Sequence, residues 1–150
     1  MDLKNKKVLV YGAGKSGIGA ARLLIHVGAC PVLFDEKEGV TSEELLAKLD
    51  VAVRDKAEAF AGKLTHELLS GIDLAVLSPG VPTDIPNVKA IREAGIPVWG
   101  EVELAYRASG GRVLGITGTN GKTTTTSLVG EILRDAGVDT MVVGNIGAAV

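Results

Sequence analysis

The stretch Lys7-Val-Leu-Val-Tyr-Gly-Ala-Gly-Lys-Ser-Gly17 decides the fold of the first part of this chain. Val8 to Tyr11 form a continuous apolar run, which is typical of a strand buried on both faces of a parallel sheet. The glycines that follow permit a tight turn, and the helix expected after them points its free N–H groups at an anion. Asp35 ends the next apolar strand about 20 residues further on, where an acid meets a ribose hydroxyl or a base. The stretch therefore predicts a turn that binds a diphosphate-containing ligand; a purely structural tight turn is the alternative.

Strands and helices alternate along the chain, which predicts an α/β fold with a parallel sheet. Strands are expected at 7–11, 31–34, 72–77 and 96–99, with a further short strand at 51–53. Helices are expected at 16–27, 41–49, 57–69, 86–94 and 101–108, several of them followed by a glycine that ends the helix.

A second glycine-rich segment reads Gly115-Ile-Thr-Gly-Thr-Asn-Gly-Lys-Thr-Thr124. It lies between a strand expected at 112–116 and a helix expected at 122–136, which is the layout of a nucleoside triphosphate loop. In such a loop the backbone N–H groups converge on phosphate oxygens, Lys122 reaches the β and γ phosphates, and the Thr123 hydroxyl holds Mg²⁺. Ile116 stands where the strict pattern has a glycine. The segment predicts ATP binding, with another strand at 140–143; an ordinary Gly, Asn and Thr turn is the alternative.

Composition excludes several classes of protein. The chain has 150 residues, a net charge of −2 and 3% aromatic residues, so neither a basic surface nor stacking platforms for nucleic acid are expected. No apolar run approaches the ~20 residues of a membrane span, and the polar N-terminus lacks an apolar signal region. Cys30 is the single cysteine, so no internal disulfide forms, and a cytoplasmic location is expected.

These patterns divide the chain into an N-terminal domain and the start of a second one. Residues 1–108 are predicted to form a Rossmann-like parallel-sheet domain that binds a nucleotide-linked substrate, and 109–111 to be a linker. Residues 112–150 are predicted to be the first strand, phosphate loop, helix and strand of an ATP-binding domain. About 40 residues do not complete a parallel sheet covered on both faces. We therefore expect an N-terminal piece of a longer enzyme, without full turnover by itself.

Two phosphate-binding turns in one chain indicate a ligase that brings ATP to a nucleotide-linked substrate. Thr117-Gly-Thr-Asn-Gly-Lys-Thr-Thr124 resembles the ATP loop of the Mur ligases of peptidoglycan synthesis. Four further motifs, in this order, resemble one branch of that family: Gly12-x-Gly-x-Ser-Gly17, Ser78-Pro-Gly80, Gly100-Glu-Val-Glu-Leu104 and Gly144-Asn-Ile-Gly147. The resemblance extends over the whole chain.

The resemblance implies an ATP-driven amide-forming reaction. ATP phosphorylates the carboxylate of UDP-N-acetylmuramoyl-L-alanine, and the amine of D-glutamate attacks the acyl phosphate. It further implies contacts of Gly14, Lys15 and Ser16 with the diphosphate, of Asp35, Glu36, Lys37, Ser78, Pro79 and Gly80 with the uridine, and of Asn145 with the sugar-diphosphate part. Gly118, Thr119, Asn120, Gly121, Lys122, Thr123 and Thr124 would bind ATP, with Lys122 and Thr123 as the catalytic residues and Thr123 on Mg²⁺. Glu36 is a departure, and its side chain is expected either to point away or to meet the uracil N–H.

Two other functions fit parts of the sequence. A nicotinamide-dependent oxidoreductase matches the first turn but not the second, and neither His26 nor His66 has a partner in sequence that suggests acid–base chemistry. A non-catalytic module that binds a UDP-sugar or ATP is the other alternative. Replacing Lys122 with alanine distinguishes these functions from the ligase, because only a ligase depends on that side chain for turnover.

Overall fold

The computed structural model describes residues 2–143. The chain divides into two compact units, Met1–Ser109 and Gly110–Val150. The first unit contains, in chain order, β1 (Lys7–Tyr11), α1 (Lys15–His26), β2 (Cys30–Asp35), α2 (Ser42–Ala47), a 3₁₀ turn (Arg54–Lys56), β3 (Glu58–Ala61), α3 (His66–Leu69), β4 (Leu74–Leu77), α4 (Pro86–Glu93), β5 (Val98–Gly100) and α5 (Glu101–Ala108). The described part of the second unit contains α6 (Lys122–Asp135).

The five strands form one parallel sheet in the order β3-β2-β1-β4-β5. Tyr11 pairs with Phe34 on one side and with Leu77 on the other, so the carboxyl ends of the central strands meet at one edge. The chain leaves β1 towards β2, while β4 lies on the opposite side of β1. That reversal opens a crevice between neighbouring loops, where parallel α/β sheets bind their ligands.

Successive side chains of the central strand, β1, pack alternately into two hydrophobic cores, one on each face of the sheet. Val8 and Val10 face a core completed by α1, α2 and α5, with Leu24, Leu45 and Leu104 fully buried. Leu9 and Tyr11 face the opposite core, which holds Val88 and Ile91 of α4. Helices therefore cover both faces of the sheet, and the continuous apolar run in β1 is explained. The predicted α/β class with a Rossmann-like parallel sheet is confirmed for this unit.

The prediction of one helix over residues 57–69 is wrong. Glu58–Ala61 instead forms β3, which pairs in parallel with β2. Gly62 follows in a left-handed conformation, and the Thr65 side chain then accepts a hydrogen bond from Leu68 N to begin the four-residue α3. Apolar residues at 57, 60, 61 and 64 imitate helical spacing, while an edge strand with one exposed face lacks the continuous apolar run of a central strand.

Two predicted short strands are also wrong. Residues 51–53 form a turn, because Val53 N and Arg54 N both donate to Asp50 O. Residues 112–116 form no strand, although Val113 and Leu114 are apolar and exposed. Of the strand predicted at 140–143, only Val143 takes part in a bridge, and residues 140–142 form no strand. A parallel strand needs a neighbour for its N–H and C=O groups, and the described residues of the second unit supply none.

The seam between β5 and α5 carries the only tryptophan of the sequence. Trp99 is buried against the first core, and the guanidinium of Arg107 lies 4.7 Å from the centre of its ring. Arg107 also forms an ion pair with Glu103, one turn earlier on α5, at 2.9 Å. The cation–π contact and the ion pair together orient the last turn of α5 over the end of the sheet.

Asp73 joins the beginnings of β1 and β4. One carboxylate oxygen accepts from Lys6 Nζ and the other from Lys7 N, each at 2.8 Å. The hydrogen bond from the Lys6 ammonium, with the backbone N–H of Lys7, lowers the pKa of Asp73 below its usual value. The stabilisation is therefore present above the pH where an unfolded aspartate titrates, ~4, and is lost as pH falls through the lower folded-state pKa.

We expect Asp73→Asn to lower the free energy of unfolding by about 1 kcal/mol at pH 7, the size being limited by partial exposure of the carboxylate. Urea unfolding at pH 7 and at pH 3 checks this, and the difference from the parent chain should shrink at pH 3. Glu58→Gln is the control, because Glu58 is held by one exposed ion pair to Lys7 and should matter less at both values. An Asp73→Asn deficit that stays constant with pH would contradict this account.

Candidate functional site

The glycine-rich turn between β1 and α1 lies at the reversal point of the sheet. Gly12 leaves β1 with a φ of +93°, and Gly12 N donates to Phe34 O at 2.8 Å. A Cβ atom at Gly17 would lie 1.9 Å from Gly12 O, so the first turn of α1 touches the backbone of the loop before it. Only glycine permits this approach, and the start of α1 is thereby held against the end of β1.

The N-terminus of α1 offers unpaired donors. Gly14 is the N-cap and provides no side-chain hydrogen bond, and the first turn has no acidic residue. The first helical bond runs from Ile18 N to Gly14 O at 3.0 Å, which leaves the N–H groups of Lys15, Ser16 and Gly17 without a helical partner. Free N–H groups and the helix dipole favour an anion here.

Asp35 links the glycine turn to the loop after β2. Its Oδ2 accepts from Ala13 N at 3.2 Å and its Oδ1 from Lys37 N at 3.1 Å. Sequence reasoning expected Asp35 to meet a ligand, and the structure gives the carboxylate a bracing role in addition. Each oxygen retains a lone pair, so the same group remains available to a ribose hydroxyl.

Ser78 braces the turn from the other side. Its Oγ donates to Gly12 O at 2.7 Å, while its backbone N–H donates to Tyr11 O at 3.0 Å. Pro79 and Gly80 follow as an exposed turn. The structure thus brings Gly14–Ser16, Asp35–Lys37 and Ser78–Gly80 to one edge of the sheet, as the sequence led us to expect of a single binding site.

Two cavities lie among the loops at this edge of the sheet, and they differ in charge. One, of about 400 Å³, is lined by Ala13, Gly14, Lys15, Ile18, Arg22 and Lys48. The other, of about 490 Å³, is lined by Glu36 to Val40, Ala61 to Leu64 and Asn87. The first has three cations and no acid in its lining, whereas the second pairs two carboxylates with two lysines. We call them the cationic cavity and the neutral cavity.

Sequence reasoning missed several residues around these cavities. In the cationic cavity, Lys48, the residue directly after α2, donates from Nζ to Ala13 O at 2.9 Å and so holds the glycine turn in place. In the neutral cavity, Asn87 Nδ2 donates to Glu36 Oε2 at 2.6 Å and to Tyr11 Oη at 3.1 Å. Burial raises the pKa of Tyr11 to about 12, and the Glu36 carboxylate acts in the same direction. No local motif marks Lys48 or Asn87, because each is brought to the site by the fold.

The second glycine-rich loop, described by itself, leads into α6. Gly121 is the N-cap with a φ of +73°, a left-handed conformation that glycine adopts without strain. The ammonium of Lys122 hydrogen-bonds to the carbonyls of Gly118 and Thr119, so the side chain curls over the loop. Thr119, Asn120, Thr123 and Thr124 are exposed at the start of the 14-residue helix. The loop therefore presents backbone donors, a cation and hydroxyl groups to solvent.

Some predictions about the site remain untested. Asn145 lies outside the described residues. Between residues 2 and 143 no group of three or more His, Cys, Asp or Glu side chains is placed to hold a metal ion, so Thr123 as a Mg²⁺ ligand stays a prediction. Across that same range, no helix is both long and apolar enough to cross a membrane.

The fold and the two glycine loops define an α/β protein with two candidate phosphate-binding loops. Residues 6–100 match the family model described as Mur ligase MurD-like, N-terminal domain, and residues 116–149 match the Mur ligase middle domain. The chain belongs to the Mur ligase family, with a MurD-like N-terminal domain.

The curated relatives agree with this assignment. The protein from Lachnospira eligens called UDP-N-acetylmuramoylalanine–D-glutamate ligase is 54% identical over 147 residues, which are 98% of this chain and 32% of that protein. A protein of the same name from Lachnoclostridium phytofermentans is 52% identical with the same coverage. The chain thus spans about a third of the length of the curated relatives it matches.

Two solved structures share the fold. A pseudomurein peptide ligase type C from Methanothermus fervidus has a TM-score of 0.55 at 23% identity, over 97% of this chain and 29% of that one. The murein peptide ligase Mpl from Psychrobacter arcticus has a TM-score of 0.57 at 20% identity, over 89% of this chain and 27% of that one.

The glycine turn yields a matched pair of substitutions. We expect Gly17→Ala to destabilise the chain by about 3 kcal/mol or more, because its Cβ would overlap a backbone oxygen that no side-chain rotation can move. Gly14→Ala should change stability far less, since a Cβ there meets nothing within 4 Å. Denaturant unfolding of both variants measures the difference, and equal losses would contradict the close approach of α1 to β1.

Proposed function

We propose that this chain is the N-terminal part of an ATP-dependent ligase that joins D-glutamate to UDP-N-acetylmuramoyl-L-alanine. The observation that carries the proposal is the presence of two glycine-rich loops that each lead into a helix, on separate units, in a chain about half identical to relatives named for that reaction. A dehydrogenase needs only the first glycine-rich loop, which would bind its dinucleotide. The presence of the second loop therefore favours the ligase.

We assign the first unit to the UDP-linked substrate. The free N–H groups after Gly14, with Lys15 and Ser16, bind the diphosphate beside the cationic cavity. Asp35 contacts the ribose, and the segments Glu36–Lys37 and Ser78–Gly80 frame the uridine. Asn145 contacts the sugar-diphosphate part. The charge contrast between the two cavities supports this orientation of the nucleotide, because its phosphates prefer the cationic cavity and its uncharged base prefers the neutral cavity.

We assign the second unit to ATP. The N–H groups of Gly118–Thr124 receive the phosphates, and the ammonium of Lys122 exchanges its loop carbonyls for phosphate oxygens. The hydroxyl of Thr123, which directly follows the loop lysine, is the group that the motif assigns to Mg²⁺, an ion that takes most of its ligands from phosphate oxygens and water. When bound, Mg²⁺ neutralises charge on the phosphate groups.

The proposed reaction has two steps. The alanyl carboxylate attacks the γ phosphorus of ATP, and ADP leaves with the electron pair of the broken P–O bond. The amine of D-glutamate then attacks the acyl carbon, loses a proton and expels phosphate from the tetrahedral intermediate. Lys122 lowers the barrier of the first step by neutralising the charge that gathers on the transferring phosphoryl group.

Ligand titration of the chain tests the substrate assignment. We expect calorimetric heat with UDP-N-acetylmuramoyl-L-alanine and none with NADH, because the proposed site pairs a diphosphate with a uridine. Binding of NADH alone would contradict the ligase and favour an oxidoreductase.

Lys122→Ala tests the ATP assignment in a ligase that includes the whole chain. Turnover should fall by about 10² to 10³, the usual loss for one group that stabilises developing charge, while the affinity for the UDP substrate stays unchanged. Arg134→Ala is the matched control, because it removes a cation from the opposite end of α6, where Arg134 pairs with Glu131. Near-normal turnover without Lys122 would overturn the assigned role.

A further inference from the structure

A polar network connects the neutral cavity to the core of the first unit. Asn87, in the first turn of α4, donates one Nδ2 hydrogen to Tyr11 and the other to Glu36. Tyr11 is 2% exposed and packs edge-on against Phe34, with ring centres 4.9 Å apart. The phenol is therefore a fixed anchor, and it fixes in turn the orientation of the Asn87 amide.

The network holds an otherwise mobile carboxylate. Glu36 lies on the exposed loop after β2, where a long side chain ordinarily samples several rotamers. Asn87 binds Oε2 at 2.6 Å, while Oε1 receives no hydrogen bond from the described residues. One oxygen of Glu36 is thus held and the other remains an available acceptor at the wall of the cavity.

The lining of the neutral cavity suits an uncharged polar ring. Glu36 and Glu38 balance Lys37 and Lys63, so the lining has no net charge to attract a phosphate. Asp35 Oδ1 accepts from Lys37 of this cavity, and Asp35 Oδ2 accepts from Ala13 of the cationic cavity. A nucleotide whose ribose lies at Asp35 therefore places its base in the neutral cavity and its phosphates at the start of α1.

The Glu36 oxygen that Asn87 does not bind, Oε1, distinguishes one pyrimidine from another. Uracil has a donor, N3–H, between two carbonyl acceptors. A carboxylate oxygen can accept the N3–H hydrogen bond, and the cavity lining also contains two lysines, which can donate to carbonyls. Cytosine has a lone pair at N3, which faces the carboxylate lone pairs and is repelled. We propose that Asn87 and Tyr11 are positioning residues that hold Glu36 as the acceptor selecting uracil over cytosine; this rests on the proposed UDP substrate.

The test is the ratio of UDP to CDP affinity, measured by NMR titration of the ¹⁵N-labelled chain, which detects weak binding. The parent should prefer UDP by about tenfold, the value of one hydrogen bond to a charged group. Asn87→Leu should bring the ratio to about twofold or less, because it frees Glu36. Glu36→Gln should do the same, since a rotated amide offers N–H to the N3 of cytosine.

Two further variants make the test specific. Glu38→Gln is the matched control, because it makes the same chemical change in the same cavity at a carboxylate that Asn87 does not hold, and it should keep the parent ratio. Tyr11→Phe keeps the ring and removes the hydroxyl, so it should lower the ratio part of the way. If Asn87→Leu fails to fold, the UDP to CDP affinity ratios of Tyr11→Phe and Glu36→Gln test the positioning of Glu36 instead.

The outcomes separate the inference from the proposed function. Equal weakening of both nucleotides by Asn87→Leu and Glu36→Gln, with the ratio unchanged, would show a merely structural role and overturn the inference alone. A parent chain that binds UDP and CDP equally would overturn it as well. A parent chain that binds neither UDP nor its sugar conjugate would overturn the proposed UDP site together with the inference.

Discussion

The close approach of α1 to the end of β1 is the contact on which the rest of the first unit depends. Because Gly17 has no side chain, the first turn of α1 packs directly against the carbonyl of Gly12. That carbonyl also accepts a hydrogen bond from the hydroxyl of Ser78. The position of the helix, the crevice at the sheet reversal and the direction of the free N–H groups all follow from it. Asp35 and Lys48 then hold the adjacent residue, Ala13, from two further elements.

The proposed nucleotide site combines rigid backbone donors with side chains that buried residues hold in place. Backbone N–H groups at a helix start cannot move without melting the turn, so they suit a diphosphate, whose geometry is the same in every nucleotide. Recognition of the base needs side chains, and side chains on an exposed loop need support. Tyr11, which is buried in the core on the α4 side of the sheet, and Asn87 supply that support to Glu36. Packing inside the sheet thereby determines the position of a side chain at its edge.

Local sequence signals predicted the central strands, the long helices and the glycine turns, because each is set by a continuous apolar run, a cap or a required backbone conformation. They failed at β3, where an edge strand has the spacing of a helix, and at 112–116, where an apolar segment has no described neighbour to pair with. Of the site, Gly14–Ser16, Asp35–Lys37 and Ser78–Gly80 were predictable because they follow strands. Asn87 and Lys48 were not, since one lies on α4 and the other directly follows α2, and both reach the edge only through tertiary packing.

The Trp99–Arg107 contact gives the first unit an optical signal of its own. The chain has one tryptophan and two tyrosines, and Trp99, Tyr11 and Tyr106 all precede residue 110. Ultraviolet fluorescence therefore follows the seam between β5 and α5, where the guanidinium over the indole sets the environment of the emitting ring. Residues 110–150 contain no aromatic side chain and are silent in the same experiment. Fluorescence and far-ultraviolet circular dichroism, compared on one sample, thus distinguish the melting of the sheet domain from that of the segment that follows it.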